Sequence, residues 1–109
     1  MLPIKDDFLV IPKDWDRHSE YTEIILAGDD WRLERIISCG QISPKDFWYE
    51  QSEDEWVMVI QGMGEIMWED GSRCLLNKGE YVLIPKICKH RVSMTSVDLE
   101  CIWLALFHK

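Results

Sequence analysis

The residues that could do chemistry lie in two short stretches. Residues 47–62 read FWYEQSEDEWVMVIQG, with Glu50, Glu53, Asp54 and Glu55 crowded ahead of an apolar run that ends at Gln61-Gly62. Residues 79–94 read GEYVLIPKICKHRVSM and hold His90, with Cys88 two positions before it. If residues 55–60 are extended, Glu55, Val57 and Val59 share one face. If residues 90–94 are extended, His90, Val92 and Met94 do the same. Each strand then carries a polar residue at its entry and apolar residues beyond. A carboxylate turned toward an apolar interior must be protonated, hydrogen-bonded, paired or bound to a cation, because an isolated buried charge is very costly. On this reading Glu55 is the acid that faces inward, and Glu53 and Asp54 belong to a solvated loop. Cys88 beside His90 offers a second chemistry, a thiolate nucleophile.

The bulk properties bound the scaffold. A chain of 109 residues supports one domain with one core. Its net charge is −8, and it has no basic cluster of more than two residues. A protein that neutralises phosphates needs a positive face, so nucleic acid is not an expected partner. No apolar stretch approaches the roughly 20 residues that cross a bilayer. The N-terminal stretch has charges scattered through it and lacks the apolar centre of a signal peptide, which predicts a cytoplasmic protein with no membrane partner. The cysteines stand at 39, 74, 88 and 101, without a C-x-x-C pair. Cys39, Cys74 and Cys101 lie in apolar stretches and read as buried, reduced packing residues.

Short apolar runs separated by turns must position the chemistry. Residues 1–18, with Pro3 and Pro12, read as an extended arm. Residues 19–27, SEYTEIILA, predict a short helix capped by Ser19 and ended at Gly28. Beyond residue 30 the runs 31–39, 56–60, 65–68, 73–76, 81–84, 91–95 and 99–107 predict many short strands, as in a sandwich or barrel. The expected organisation is an arm and helix over residues 1–30 packed on a β-barrel over residues 31–109, one structural domain. In WEDGSR, Asp70-Gly71 suits a two-residue type I′ turn, pairing Trp68 with Arg73, Met67 with Cys74 and Ile66 with Leu75. Several strands are apolar on both faces. The barrel interior covers one face; the arm or a second copy must cover the other. With six tryptophans in the chain, this predicts a homodimer.

The stretch from Glu55 to Met94 resembles the cupin superfamily. The second cupin motif reads G, five residues, P-x-G, two residues, H, three residues, N. Gly79, Pro85 and His90 match it, while Ile87 stands where the family has Gly and Met94 where it has Asn. The first motif ends E, six residues, G, matched by Glu55 and Gly62. Its opening H-x-H is missing from Trp48-Tyr49-Glu50-Gln51. Residues 40–51 also look like a small cytosolic branch with a GQxSPxxFWY-acid-Q pattern. The resemblance implies an all-β double-stranded β-helix, a jelly-roll barrel with its polar residues at the mouth.

In metal-binding cupins the two H-x-H histidines, the Glu and the last His hold one divalent ion. Here the missing positions fall on Tyr49 and Gln51 or on Trp48 and Glu50. Three readings follow. In one, Glu50 (or Tyr49 and Gln51), Glu55 and His90 bind a divalent metal such as Zn, Mn, Fe or Ni. In another, Tyr49, Gln51, Glu55 and His90 form a metal-free cradle for a small organic ligand. In the third, Glu55 and His90 satisfy each other in a plain scaffold. An enzyme of this type would use Glu55 or His90 as acid or base in an isomerisation or oxygenation.

Overall fold

The computed structural model describes residues 2–109, and all of its regular structure is β. Eight strands follow in order: β1 Tyr21–Ala27, β2 Trp31–Ser38, β3 Asp54–Gln61, β4 Met63–Trp68, β5 Arg73–Asn77, β6 Tyr81–Ile84, β7 His90–Thr95 and β8 Cys101–His108. They form a five-stranded sheet in the order β1-β2-β8-β3-β6 and a three-stranded sheet in the order β5-β4-β7. Every pairing is antiparallel. This is the double-stranded β-helix implied by the sequence resemblance.

The core lies between the sheets. β3 sends Val57 and Val59 inward, β4 sends Ile66, and β8 sends Cys101, Trp103, Ala105 and Phe107. β8 runs between β2 and β3; on its other face Ile102 is fully buried while Leu104 and Leu106 are partly buried. Gly64 on β4 is required by this packing: a Cβ there would lie 2.2 Å from the Trp103 indole.

The expected helix over residues 19–27 does not form. Tyr21, Thr22, Ile24 and Ile25 are β-formers, and the segment pairs with β2 from Tyr21↔Ile37 to Ala27↔Arg32. Ser19 caps no helix; its hydroxyl donates to the Asp16 carbonyl. Residues 1–30 therefore contribute an edge strand to the larger sheet. The arm before it is tied down by Arg35, whose guanidinium donates to the carbonyls of Phe8 and Val10 at 3.0 and 2.9 Å and pairs with Glu23.

The β4–β5 hairpin also differs from expectation. The observed pairs are Met67↔Arg73, Ile66↔Cys74 and Glu65↔Leu75, one residue out from the predicted register. Only Gly71 has positive φ, at 89°. The Gly71 N–H donates to the Trp68 carbonyl, and the Trp68 N–H to the Ser72 carbonyl. This is a three-residue loop, Glu69-Asp70-Gly71, closed by a left-handed glycine. Asp70 selects it by accepting from both the Ser72 N–H and the Ser72 hydroxyl. The shift restores alternation: Ile66 and Leu76 are buried, and Leu75 is exposed.

Candidate functional site

A cavity of about 220 Å³ opens between the two sheets. Tyr49, Gln51, Glu55 and His90, the four residues of the predicted cradle, all line it. β3 delivers Glu55 at its inward-facing entry position, followed by Val57 on the cavity wall. β7 delivers His90 at its first residue, followed by Val92. Met94 does not continue that face, because β4 pairs Glu65 with Met94 but Ile66 with Val92, leaving a bulge at Ser93. Tyr49 precedes the barrel strands and is fixed by a two-way backbone bridge to His90, at 2.8 and 3.1 Å. Its ring stacks on the imidazole with centroids 5.6 Å apart.

His90 is 5% exposed and Glu55 8%. His90 Nδ1 lies 2.9 Å from the Cys88 carbonyl oxygen. A carbonyl only accepts, so Nδ1 carries the proton and the neutral ring has its bare nitrogen at Nε2. Nε2 lies 3.5 Å from Glu55 Oε1. Burial alone would push the imidazole down, but the Glu55 carboxylate and the Cys88 carbonyl outweigh it and hold His90 above its ordinary value. Gln51 Nε2 donates to the same Glu55 Oε1 at 3.0 Å. Glu55 Oε2 takes no donor among the described residues. Burial, with the nearby carboxylates Glu20 and Glu55, raises the Tyr49 phenol, so Tyr49 remains a neutral hydrogen-bonding group.

Glu50 does not join this cluster. It pairs with Lys89 at 3.7 Å, its side chain is 49% exposed, and it lies in a separate surface depression with Glu69 and Lys89. With Tyr49 and Gln51 turned inward, the residue between them faces out. The proposed set of Glu50, Glu55 and His90 is therefore not assembled. Among the described residues, no three His, Cys, Asp or Glu side chains converge in a metal-holding arrangement. One imidazole and one carboxylate that already accepts from an amide do not make the donor set of a resident transition metal.

Sequence reasoning missed the opposite wall. Glu20 and Thr22 from the β1 side and Arg32 and Glu34 from β2 also line the cavity. Arg32 donates to Glu34 at 2.6 Å and to both oxygens of Glu53 at 2.8 Å, and its guanidinium lies 4.1 Å from the Phe107 ring centre. Glu53 is thus a structural ion-pair partner rather than a free loop acid. Asp54 begins β3 and accepts from the Lys86 N–H. Glu20 accepts only a long bond, 3.4 Å, from Ser38 Oγ; its carboxyl is raised by burial and by Glu34. A legible signal existed in Arg32-x-Glu34: two opposite charges on one face of a strand. Glu20 was hidden by the helix assignment.

All four cysteines are free. Cys101 is fully buried, and burial, with Glu20 nearby, pushes its thiol up to about 12, which makes it inert at neutral pH. Cys88 is half-buried and contributes its carbonyl to His90. His18 is almost fully exposed, and His108 lies 3.8 Å from Asp54 outside the cavity lining.

Comparison with known proteins agrees with the geometry. The family model described as "Cupin domain" matches residues 36–107. A crystal structure from Ralstonia eutropha JMP134, provisionally named a mannose-6-phosphate isomerase, shares 32% identity with a TM-score of 0.89 over 98% of this chain and 99% of that one. A cupin superfamily protein from Desulfitobacterium hafniense aligns at 11% identity and TM-score 0.74, over 87% of this chain and 82% of that one. A DMSP lyase from Ruegeria pomeroyi aligns at 17% identity and TM-score 0.70, over 91% of this chain and 51% of that one. At those last two identities the likeness is one of fold alone. None of the curated proteins matches the chain.

Proposed function

The chain belongs to the cupin domain family, and from that premise we propose that it binds a small organic molecule in the barrel cavity through a metal-free cradle of Tyr49, Gln51, Glu55 and His90. The observation that carries this reading is the state of the two residues that match metal-motif positions. Glu55 Oε1 is held by the Gln51 amide, and His90 Nδ1 is committed to the Cys88 carbonyl. What they present to the cavity is hydrogen-bonding capacity: Glu55 Oε2, His90 Nε2, the Tyr49 hydroxyl and the second Gln51 N–H. Apolar Val57, Ile66, Val92 and Trp103 supply the rest of the wall. At about 220 Å³ the cavity is smaller than the 300–1,000 Å³ or so of drug-sized sites, so the ligand is a small metabolite.

Elemental analysis of tag-free protein, paired with a thermal-shift screen, tests the reading. The expected result is substoichiometric metal even after incubation with Zn, Mn, Fe and Ni, together with saturable stabilisation by at least one small metabolite. One equivalent of metal that disappears in His90→Ala would sink it.

A second reading adds catalysis at the same groups. Nε2 of His90 gains a proton only as the ring becomes cationic, 3.5 Å from Glu55, and this is a geometry for moving a proton on a bound substrate. An isomerisation by proton transfer would use it, and the name of the Ralstonia relative is of that reaction class. Its substrate class fits less well. Among the described residues Arg32 is the only Lys or Arg in the wall, and two carboxylates already engage it, so a phosphate would meet repulsion from Glu20, Glu34 and Glu55. Turnover lost in Glu55→Gln and His90→Gln far out of proportion to any loss of ligand affinity would separate catalysis from binding.

The expected homodimer belongs to the same proposal. On the outer face of the five-stranded sheet, Trp56 packs 5.3 Å from Tyr81 and pairs with Leu83, and both Tyr81 and Leu83 are exposed. Sedimentation should give a dimer for the wild type and a monomer for Leu83→Glu.

A further inference from the structure

The cavity wall is unequally supplied with charge and with donors. Glu20, Glu34 and Glu55 face it, against Arg32 alone. Arg32 is spent on Glu34 and on the bidentate contact with Glu53. His90 has one ring nitrogen occupied by the Cys88 carbonyl. The carboxylates are less well served. Glu55 has one oxygen bonded, and Glu20 has only the 3.4 Å contact from Ser38 and no ion pair. Glu34 pairs through one oxygen. Glu34 and Glu55 are buried while Glu20 sits at the exposed rim, so a cation entering the mouth meets carboxylate oxygens that still have acceptor capacity. The wall therefore offers more carboxylate oxygens than free positive charge.

The apolar part of the wall has a matching character. Trp103 and Phe107, both nearly buried, lie on the cavity with the exposed-edge Tyr49. Aromatic faces favour a cation over an anion. Phe107 already carries the Arg32 guanidinium over its ring, which shows that this region of the wall accommodates a positive group.

Resting on the metal-free cradle described above, the geometry points to a specific ligand class: a small molecule with a primary ammonium group on a compact apolar body. The ammonium supplies up to three donors to the unfilled oxygens of Glu20 and Glu55. The apolar body packs on Val57, Ile66 and Trp103. A phosphate or carboxylate ligand is excluded by the same wall.

A matched series tests this first on the wild-type chain. Cyclohexylmethylamine (an ammonium at neutral pH), cyclohexylmethanol and cyclohexanecarboxylate share one body and differ in charge. Binding is read by calorimetry and by shifts of the His90 and Trp103 ring signals in NMR spectra. The ammonium should bind at least tenfold more tightly than the alcohol, and the carboxylate should not bind. Glu20→Gln and Glu55→Gln should each bring the ratio of ammonium to alcohol affinity down toward one. Equal or tighter binding of the alcohol would overturn the charge assignment and leave a small-molecule cradle standing. Tightest binding of the carboxylate would overturn it in favour of Arg32 as the recognition group. Ring signals unmoved by all three compounds would overturn both this inference and the cradle.

Discussion

The Ile87 N–H donates to the Gln51 carbonyl at 2.7 Å, and Ile87 makes that bond from the left-handed region, at φ 66°. This bond ties the turn after β6 to the segment that carries Gln51 into the cavity. The next residue, Cys88, donates its N–H to the Pro85 carbonyl and offers its own carbonyl to His90. One turn therefore sets both sides of the cradle. The cupin motif has Gly at this position, and a β-branched residue pays a steric cost in that conformation.

Ile87→Gly should therefore stabilise the protein. Ile87 is 65% exposed, so little burial is lost. Relief of the left-handed strain, about 1–2 kcal/mol, exceeds the added unfolded-chain entropy of glycine, about 0.5–1 kcal/mol. Denaturant melts should show a gain of up to about 1 kcal/mol with an unchanged slope. A loss of stability would mean that the Ile87 side chain makes contacts outweighing its backbone cost.

The Glu55–His90 pair should make stability depend on pH. His90 is held above its ordinary value in the folded protein. The folded state then binds the proton more tightly than the unfolded one. Its contribution is fully present below about pH 6.5, the ordinary histidine value, and is lost as pH rises through the folded value. Glu55→Gln removes the main cause that raises it. NMR titration of the ring should show His90 titrating at lower pH in Glu55→Gln, and the wild type should lose more stability than the variant between pH 6 and 8. Superimposable pH–stability curves would remove the pair from the stability argument.

Gly64→Ala should damage the cavity through its wall. The new Cβ would sit 2.2 and 2.3 Å from two ring carbons of Trp103, and a packed indole cannot yield without moving into the cavity it lines. Overpacking of this kind costs about 1–3 kcal/mol. The same displacement should weaken any cavity ligand, which a Gly64→Ala calorimetric titration would report together with the lowered Tm.

Much of this fold was legible because its strands announce themselves by turn residues and by parity. Glu55, Val57 and Val59 fall on one face as the spacing requires, and Tyr49 and Gln51 follow them inward. What misled the sequence reading was local chemistry with two outcomes. SEYTEIILA carries a plausible helix cap, yet its β-branched residues find a partner strand in β2, and pairing across the chain outweighs a cap. Asp-Gly fits a two-residue turn, but the Asp70 carboxylate captures Ser72 and draws one more residue into the loop. Glu50 is a ligand candidate because one placement of the missing H-x-H falls on it, while alternation sends it to Lys89. Glu20 and Thr22 stayed hidden because residues 19–27 suggest a helix, whereas Arg32 and Glu34 lie in a run already expected as a strand and only their facing the cavity was missed.

Arg32 should be the most sensitive charged position in the molecule. It bridges Glu34 on its own strand and Glu53 at the entry to β3, with side-chain exposures of 12% and 18% for the two acids. Arg32→Met keeps much of the packing on Phe107 but leaves two largely buried carboxylates without a counter-charge. Breaking one side of such a pair costs about 3–5 kcal/mol when fully buried, and partial solvation here brings the expectation to about 2–3 kcal/mol at neutral pH. The deficit should narrow on acidification. Unpaired buried carboxylates take up protons more readily in the folded state than in the unfolded one, so the variant gains stability relative to the wild type as pH falls. Arg32→Lys retains the charge but not the separate nitrogens, Nε and Nη1, that reach Glu34 and Glu53 at once, and should fall between the two. Denaturant unfolding of the three proteins at pH 7.5 and pH 5 gives the comparison. A deficit for Arg32→Met that stays constant across that range would locate its cause in lost packing on Phe107 rather than in the unpaired charges of Glu34 and Glu53.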